Sequence, residues 1–263
     1  MLFRSKQAKI DRASGSFAVF DTEKPNNRIV GRVAGVGLTD EINDKHYVVV
    51  DGIDGKVYHA DIGHVPPELV PERGMIVAAE NKSARESEKQ RTNLRILSYI
   101  NLGRLVEAEG ATWLDKEILS PRPERNSNLG YGSLVQTALA RRQQWLVSQG
   151  LGTFGAEREF GPAPNLLAKL RERDLRQANI TLSKELGLTA MSLIEGERLS
   201  GTYLRPVTLL SGKYAVIQKS KEFTLVPWQR EFESTRGRQI SGVAGGQSIS
   251  WDWSGRKRGL EIS

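Results

Sequence analysis

His46, His59 and His64 are the only histidines in the chain, and Asp61 stands between the last two. Neutral imidazoles with a carboxylate can hold a divalent ion, so metal chemistry is the first possibility this cluster raises. The strand period argues against it. From Lys56 to Ile62, His59 and Asp61 fall on one face as neighbours, Tyr58, Ala60 and Ile62 take the other, and His64 lies beyond Gly63. The cluster reads as polar surface, and no metal or other cofactor is expected. Gly242-Val-Ala-Gly245-Gly246 offers backbone amides to a phosphate, but no Lys-Ser or Lys-Thr follows it and GxGxxG is absent, so it reads as a flexible loop. The absence of cysteine excludes thiolate zinc sites, disulfides and a cysteine nucleophile. A Ser-His-Asp triad meets in space rather than in order. No catalytic residue is named, and a non-enzymatic role is the expectation.

Cations beside aromatics carry the strongest functional signal. Arg141-Arg142, Lys169 with Arg171, Arg173 and Arg176, and Arg256-Lys257-Arg258 are suited to neutralising phosphates. Trp251, Trp253 and Trp228 are suited to stacking on an unpaired base. On the two helices a solvated face is the better reading, because Glu172 and Asp174 dilute the charge. The tail keeps three cations undiluted beside two tryptophans, and both a phosphate-tracking segment and a solvated end with core tryptophans fit it. The candidate DNA-binding residues are therefore Arg256, Lys257, Arg258, Trp251, Trp253, Arg141, Arg142, Lys169 and Arg173.

The elements that must position these residues predict an α+β fold in which two small β-barrel-like units flank a helical middle segment. Residues 1–27 read as a flexible lead-in. Residues 28–80 form the first barrel: Tyr47-Val-Val-Val50 runs apolar, and the Asp-Gly pairs of Asp51-Gly52 and Asp54-Gly55 suit a hairpin turn. Residues 81–132 are a linker with a short helical segment. Residues 133–190 are a helical pair. Ser133 is placed to cap the first helix, whose stripe runs through Leu134, Val135, Ala138, Leu139, Trp145 and Leu146, and Asn165 to cap the second, which stops near Gly187. Residues 191–263 form the second barrel with the basic tail, its strands around Tyr203, Val216 and Leu225 and its sheet closing at Pro227. Both β units share one outline: a glycine-containing strand, a polar turn, a Tyr-led apolar strand, a turn and a short strand. This is a weak internal repeat of two barrels similar to SH3 domains in size, and convergent meander patterning explains the outline equally well.

Composition sets the outer limits. The chain has 263 residues, 38% hydrophobic and 26% charged, which suits a folded soluble protein with two or three small cores. No apolar run reaches the length of a membrane span, and the expected location is cytoplasmic. The net charge of +7 permits weak binding to nucleic acid without identifying it.

Several long runs resemble one family. Ser211–Trp228 (SGKYAVIQKSKEFTLVPW), Ser241–Gly246 (SGVAGG) and Ser254–Ile262 (SGRKRGLEI) resemble the C-terminal region of conjugative relaxases, the mobilization nucleases that cut plasmid DNA and accompany it into a type IV secretion channel. Gly31–Gly63, Leu69–Val77, Leu97–Glu117 and Asn165–Leu175 are similar to the same family, in the same order. The resemblance implies a non-catalytic region that follows a nuclease domain, here encoded alone or left by truncation. The family's histidine cluster is not found in this sequence, and the short polar run Glu80–Asn93 stands where relatives carry a longer helix-rich insertion. The implied function is that of an accessory module of plasmid transfer, contacting DNA weakly, single-stranded ahead of duplex, or docking the relaxase and secretion components. The alternatives are a protein-interaction or secretion-signal module without DNA affinity, and a metal-dependent nuclease whose site the sequence hides.

Overall fold

A computed structural model describes residues 16–19, 28–81, 92–245 and 248–253. The chain divides into two compact units, Met1–Leu167 and Ala168–Ser263. Among the described residues no helix is long and apolar enough to cross a membrane.

Unit 1 is built on six strands: β1 (Ser16–Val19), β2 (Arg28–Asp40), β3 (Lys45–Gly52), β4 (Lys56–His64), β5 (Ile76–Asn81) and β6 (Thr92–Ser98). Their order is β1-β4-β3-β2-β5-β6, antiparallel except for the β1–β4 pair. Side-chain alternation sorts this sheet into two apolar faces. Ile29, Val33, Val48, Val50, Ala60, Ile62, Val77 and Ala79 form one core cluster. On the opposite face, Val30, Ile76 and Ala78 pack beneath α1 (Leu102–Leu105), α2 (Trp113–Ile118) and α3 (Gly130–Ser148) through Leu105, Trp113, Leu114, Tyr131, Val135 and Ala138. A small hairpin, β7 (Gly152–Phe154) with β8 (Phe160–Pro162), follows α3.

Unit 2 carries α4 (Leu166–Leu186, from Ala168 onward) and strands β9 (Thr189–Ala190), β10 (Arg198–Leu209), β11 (Gly212–Lys219), β12 (Glu222–Pro227), β13 (Gln239–Gly245) and β14 (Ser248–Asp252). Their order is β14-β13-β10-β11-β12-β9, and β9 pairs parallel with β12. Leu199, Tyr203, Ala215, Ile217, Val226, Phe232 and Ile240 form the main core. Leu182 of α4 packs against Val216 and Phe223 on the other face.

The two sheets coincide strand for strand and in register. The long first strand of each bulges at the same place, between Val33 and Gly35 in β2 and between Tyr203 and Arg205 in β10. Val33 exchanges backbone bonds with Met75 and Gly74, and Tyr203 does the same with Arg238 and Gly237, both glycines at positive φ (94° and 74°). A 3-10 turn precedes each of these glycines, at Pro67–Leu69 and Arg230–Thr235. Carrying that register along the strands aligns the two cores: Ile29 with Leu199, Val33 with Tyr203, Val48 with Ala215, Val50 with Ile217, Ala60 with Val226 and Val77 with Ile240. The repeat expected from the outline is thus present in topology and pairing.

Other expectations need correction. Among the described residues neither sheet closes into a barrel; each has six strands and ends on distinct edge strands. The expected lead-in contributes β1, and the expected linker contributes β6, which pairs antiparallel with β5; the short helical segment expected after it is present as α1 and α2. α3 begins at Gly130, ahead of Ser133, with no side-chain cap. The glycine-rich Gly242–Gly245 is no loop but part of β13, paired with β14 through Gly242 and Trp251. The remaining glycine of that run, Gly246, lies outside the described residues.

The register equivalence makes a testable statement about Gly31 and Gly201. A Cβ at Gly31 would collide with the Asp51 carbonyl, and one at Gly201 would lie 2.5 Å from the Gln218 carbonyl. Alanine at either position should lower stability by about 1–3 kcal/mol through overpacking. Gly35→Ala, which meets nothing within 4 Å, should be near neutral in the same urea titration.

Candidate nucleic-acid interface

Unit 1 carries a groove of about 660 Å³. The bulge of β2 (Arg32, Val33, Ala34), the turn Arg73-Gly74, the start of α1 (Asn101, Leu102, Gly103) and one side of α3 (Tyr131, Leu134, Thr137, Ala138, Arg141) line it. Three arginines therefore converge on one depression.

Arg32 is fixed. It faces the helical side of the sheet, where its Nη2 donates to Asp51 Oδ2 at 2.7 Å across the β2–β3 pair, and its guanidinium lies 5.0 Å from the centre of the Tyr131 ring. Asp51 is buried, and burial raises its carboxyl above the ordinary carboxylate range in spite of the opposing pull of Arg32. Tyr131 is 2% exposed, and its hydroxyl has no hydrogen-bond partner among the described residues. Burial likewise raises the Tyr131 phenol well above its usual value, so it remains a neutral O–H at physiological pH.

Arg73 and Arg141 are solvent-exposed. Among the described residues no carboxylate lies within ion-pair distance of Arg73, and Arg141 meets only Glu107, at 3.9 Å with both side chains well exposed. Such a pair contributes little. The groove thus combines one immobilised cation with two at its rim.

Its far wall depends on Arg142, expected beside Arg141 as a phosphate contact. Arg142 is instead completely buried. Its Nε and Nη2 donate to the two Asp115 oxygens at 2.8 and 3.0 Å. Nη1 donates to the carbonyls of Val106 (3.1 Å) and Ala108 (2.6 Å), and Nη2 to that of Gly110 (3.1 Å). Asp115 also accepts from the Thr112 amide and hydroxyl, each at 2.7 Å, completing the capping box of α2. One guanidinium therefore joins the end of α1, the start of α2 and the middle of α3. The physical reason is helical spacing: Tyr131, Val135, Ala138, Arg142 and Leu146 form the buried stripe of α3, whereas Leu134, expected within it, is 54% exposed in the groove.

The other expected site residues lie elsewhere. Lys169 and Arg173 are on α4, Lys169 exposed and Arg173 half-buried, while Arg176 pairs with Glu172 at 2.7 Å. In unit 2, Trp251 and Trp253 each meet the Phe232 ring edge to face, with centroids 5.2 Å apart. Trp251, partly buried, packs against the core of the second sheet, and Trp253 keeps 37% of its surface exposed. Trp228 carries Lys213 Nζ 3.7 Å from its ring centre. Arg256, Lys257 and Arg258 lie outside the described residues. His59 stacks on Tyr47 at 4.6 Å, and Asp61 accepts from the Gly63 amide. Sequence reasoning passed over Arg32, Arg73 and Tyr131; the available signal was an arginine facing an aspartate in adjacent strands.

A family model described as protein of unknown function (DUF3363) matches residues 2–96 and 79–261. The chain belongs to that family. No curated protein and no solved structure matches it. The two matches span both units, so this DUF3363 chain carries the family's sequence through the arginine groove and the second sheet alike.

Two variants test the supports of the groove. Arg142→Met should destabilise by about 3–5 kcal/mol in urea unfolding, since it leaves Asp115 buried without its cation, whereas Arg141→Met should stay within about 0.5 kcal/mol. Because Asp51 holds its proton more tightly folded than unfolded, its contribution to stability falls as pH rises through the carboxylate range, from about pH 4 upward. Asp51→Asn removes that component, so the variant should gain relative to wild type as pH is raised from about 3 to about 6 in the same measurement.

Proposed function

We propose that this chain is the non-catalytic accessory region of a conjugative relaxase and that it handles DNA in plasmid transfer, in the cytoplasm, with single-stranded DNA preferred to duplex. The observation that carries this reading is the convergence of Arg32, Arg73 and Arg141 on one groove, where among the described residues Asp51 pairs with Arg32 and an exposed Glu107, at 3.9 Å, with Arg141. Phosphate neutralisation by arginine supplies most of the affinity of non-specific nucleic-acid binding, and an exposed Leu134 beside the cations offers an apolar surface to an unpaired base. Support at the level of sequence comes from the long runs that resemble relaxase C-terminal regions in order. The basic tail at Arg256, Lys257 and Arg258, with Trp253 exposed ahead of it, is proposed as a second contact. Docking to the relaxase or to secretion components is the use proposed for such binding.

Fluorescence anisotropy with labelled single-stranded and duplex DNA at two salt concentrations tests this. Binding should weaken as salt rises and favour the single strand. Replacing Arg73 and Arg141 together by alanine should reduce the slope of log affinity against log salt by about 1.4, two single-strand phosphate contacts. The triple alanine variant of Arg256, Lys257 and Arg258 measures the tail in the same assay. Absence of binding to either DNA at low salt would overturn the DNA reading and leave a protein-docking module.

A further inference from the structure

The register equivalence of the two sheets isolates what is special to unit 1. Arg32 and Asp51 occupy the positions that Thr202 and Gln218 hold in unit 2. On the same outer face, Val30, Ile76 and Ala78 correspond to Ser200, Gln239 and Ser241. The helical layer that covers unit 1 there has an apolar bed, and the pinned arginine sits at the margin of that bed. The groove is therefore not a by-product of the shared sheet: a charged pair stands where the other copy carries neutral polar residues.

We infer that this groove receives one nucleotide unit, its phosphate bound by Arg32 and the Tyr131 hydroxyl between Arg73 and Arg141, and its base against Leu134. This rests on the nucleic-acid reading above and narrows it. Size is the first argument: about 660 Å³ is the scale of a pocket for a small molecule, whereas surfaces that track a strand accommodate several nucleotides. Preorganisation is the second. Arg32 is held by Asp51 through one Nη2 bond and by the ring of Tyr131, which leaves further N–H donors of its fork for an anion. The third is Tyr131, which lines the groove and whose buried hydroxyl has no hydrogen-bond partner among the described residues, an arrangement that calls for an acceptor. Being neutral, the phenol donates to a phosphate oxygen without repelling it. The fourth is Leu134, a large apolar side chain left exposed between Arg141 and Tyr131 along α3.

Isothermal titration of the full chain with a deoxynucleoside 5′-monophosphate, the matching nucleoside and inorganic phosphate tests the inference, with Tyr131→Phe as the variant that keeps the ring under Arg32. The nucleotide should bind more tightly than either part alone, and Tyr131→Phe should weaken it about tenfold, the loss of one hydrogen bond to a charged group. In a parallel arm the nucleotide should displace labelled single-stranded DNA. Equal binding of nucleotide and phosphate (an anion site without a base contact), equal binding of nucleotide and nucleoside, or an unchanged affinity in Tyr131→Phe would each overturn it. Salt-dependent DNA binding that is lost in the Arg73/Arg141 variant but resists displacement would also overturn it while leaving the DNA reading intact. If neither DNA nor nucleotide binds, both fall, and binding of an acidic peptide in the same titration would reassign the groove to a protein partner.

Discussion

Burying a guanidinium is expensive unless nearly every N–H finds an acceptor and the charge finds a counter-ion. Arg142 meets both conditions by collecting the Asp115 carboxylate and the carbonyls of Val106, Ala108 and Gly110. Those acceptors are what two very short helices leave behind. α1 has four residues and α2 six, far below the length at which a helix holds itself together. The end of α1 offers carbonyls without intrahelical partners, and the start of α2 offers the aspartate of its capping box. A helix long enough to be stable, α3, supplies the cation that satisfies both ends. The helical layer of unit 1 is therefore organised by a polar contact at its centre, with Trp113, Leu114 and Val135 packing around it.

What that layer does follows from where it can rest. The repeated sheet offers the same inner core in both units, but its outer face differs. In unit 1 Val30 of β2 and Ile76 and Ala78 of β5 are apolar and carry helices; in unit 2 the equivalents are Ser200, Gln239 and Ser241, and α4 packs instead over Val216 and Phe223. One scaffold thus presents two outer surfaces. The groove arises where the helical layer of unit 1 ends over the bulge of β2, because the extra residue, Ala34, turns the strand away just past Arg32. Gly74, at positive φ, brings the Arg73 turn back onto that bulge through its bond to the Val33 carbonyl.

Much of this was readable in the sequence. The Asp-Gly turn before β4, the strands around Tyr47 and Tyr214 and the stop at Gly187 all follow from local chemistry. The outline shared by the two β units was visible because turns and Tyr-led strands are local features. The bond-for-bond register was not, since it depends on pairings between strands far apart in sequence, such as Arg32 with Ile76 and Thr202 with Gln239. Strands β1 and β6 were missed because four or seven residues flanked by polar runs carry little periodicity. The reading of α3 failed for a specific reason. Treating arginine as an outward residue rotated the apparent stripe toward Leu134, although spacings of four, three, four and four from Tyr131 to Leu146 place Arg142 on the buried face. Charge type outweighed geometry, and geometry was right.

The same distinction separates the arginines of the groove by task. Arg32, with its acidic partner and its aromatic support, has lost most of its rotamer freedom before any ligand arrives, so a bond it makes costs little further ordering. Arg73 and Arg141 keep that freedom and remain largely uncompensated, which suits them to attract an anion from solution and to adjust to it. A site made only of the first kind would be precise but weak in encounter, and one made only of the second would bind any polyanion alike. Placing a fixed donor at the floor and mobile cations at the rim gives the groove selectivity from Arg32 and Tyr131 and reach from the other two. This division depends on Arg142 staying out of it: a second exposed arginine on α3 would add charge to the rim while removing the contact that holds the wall in place.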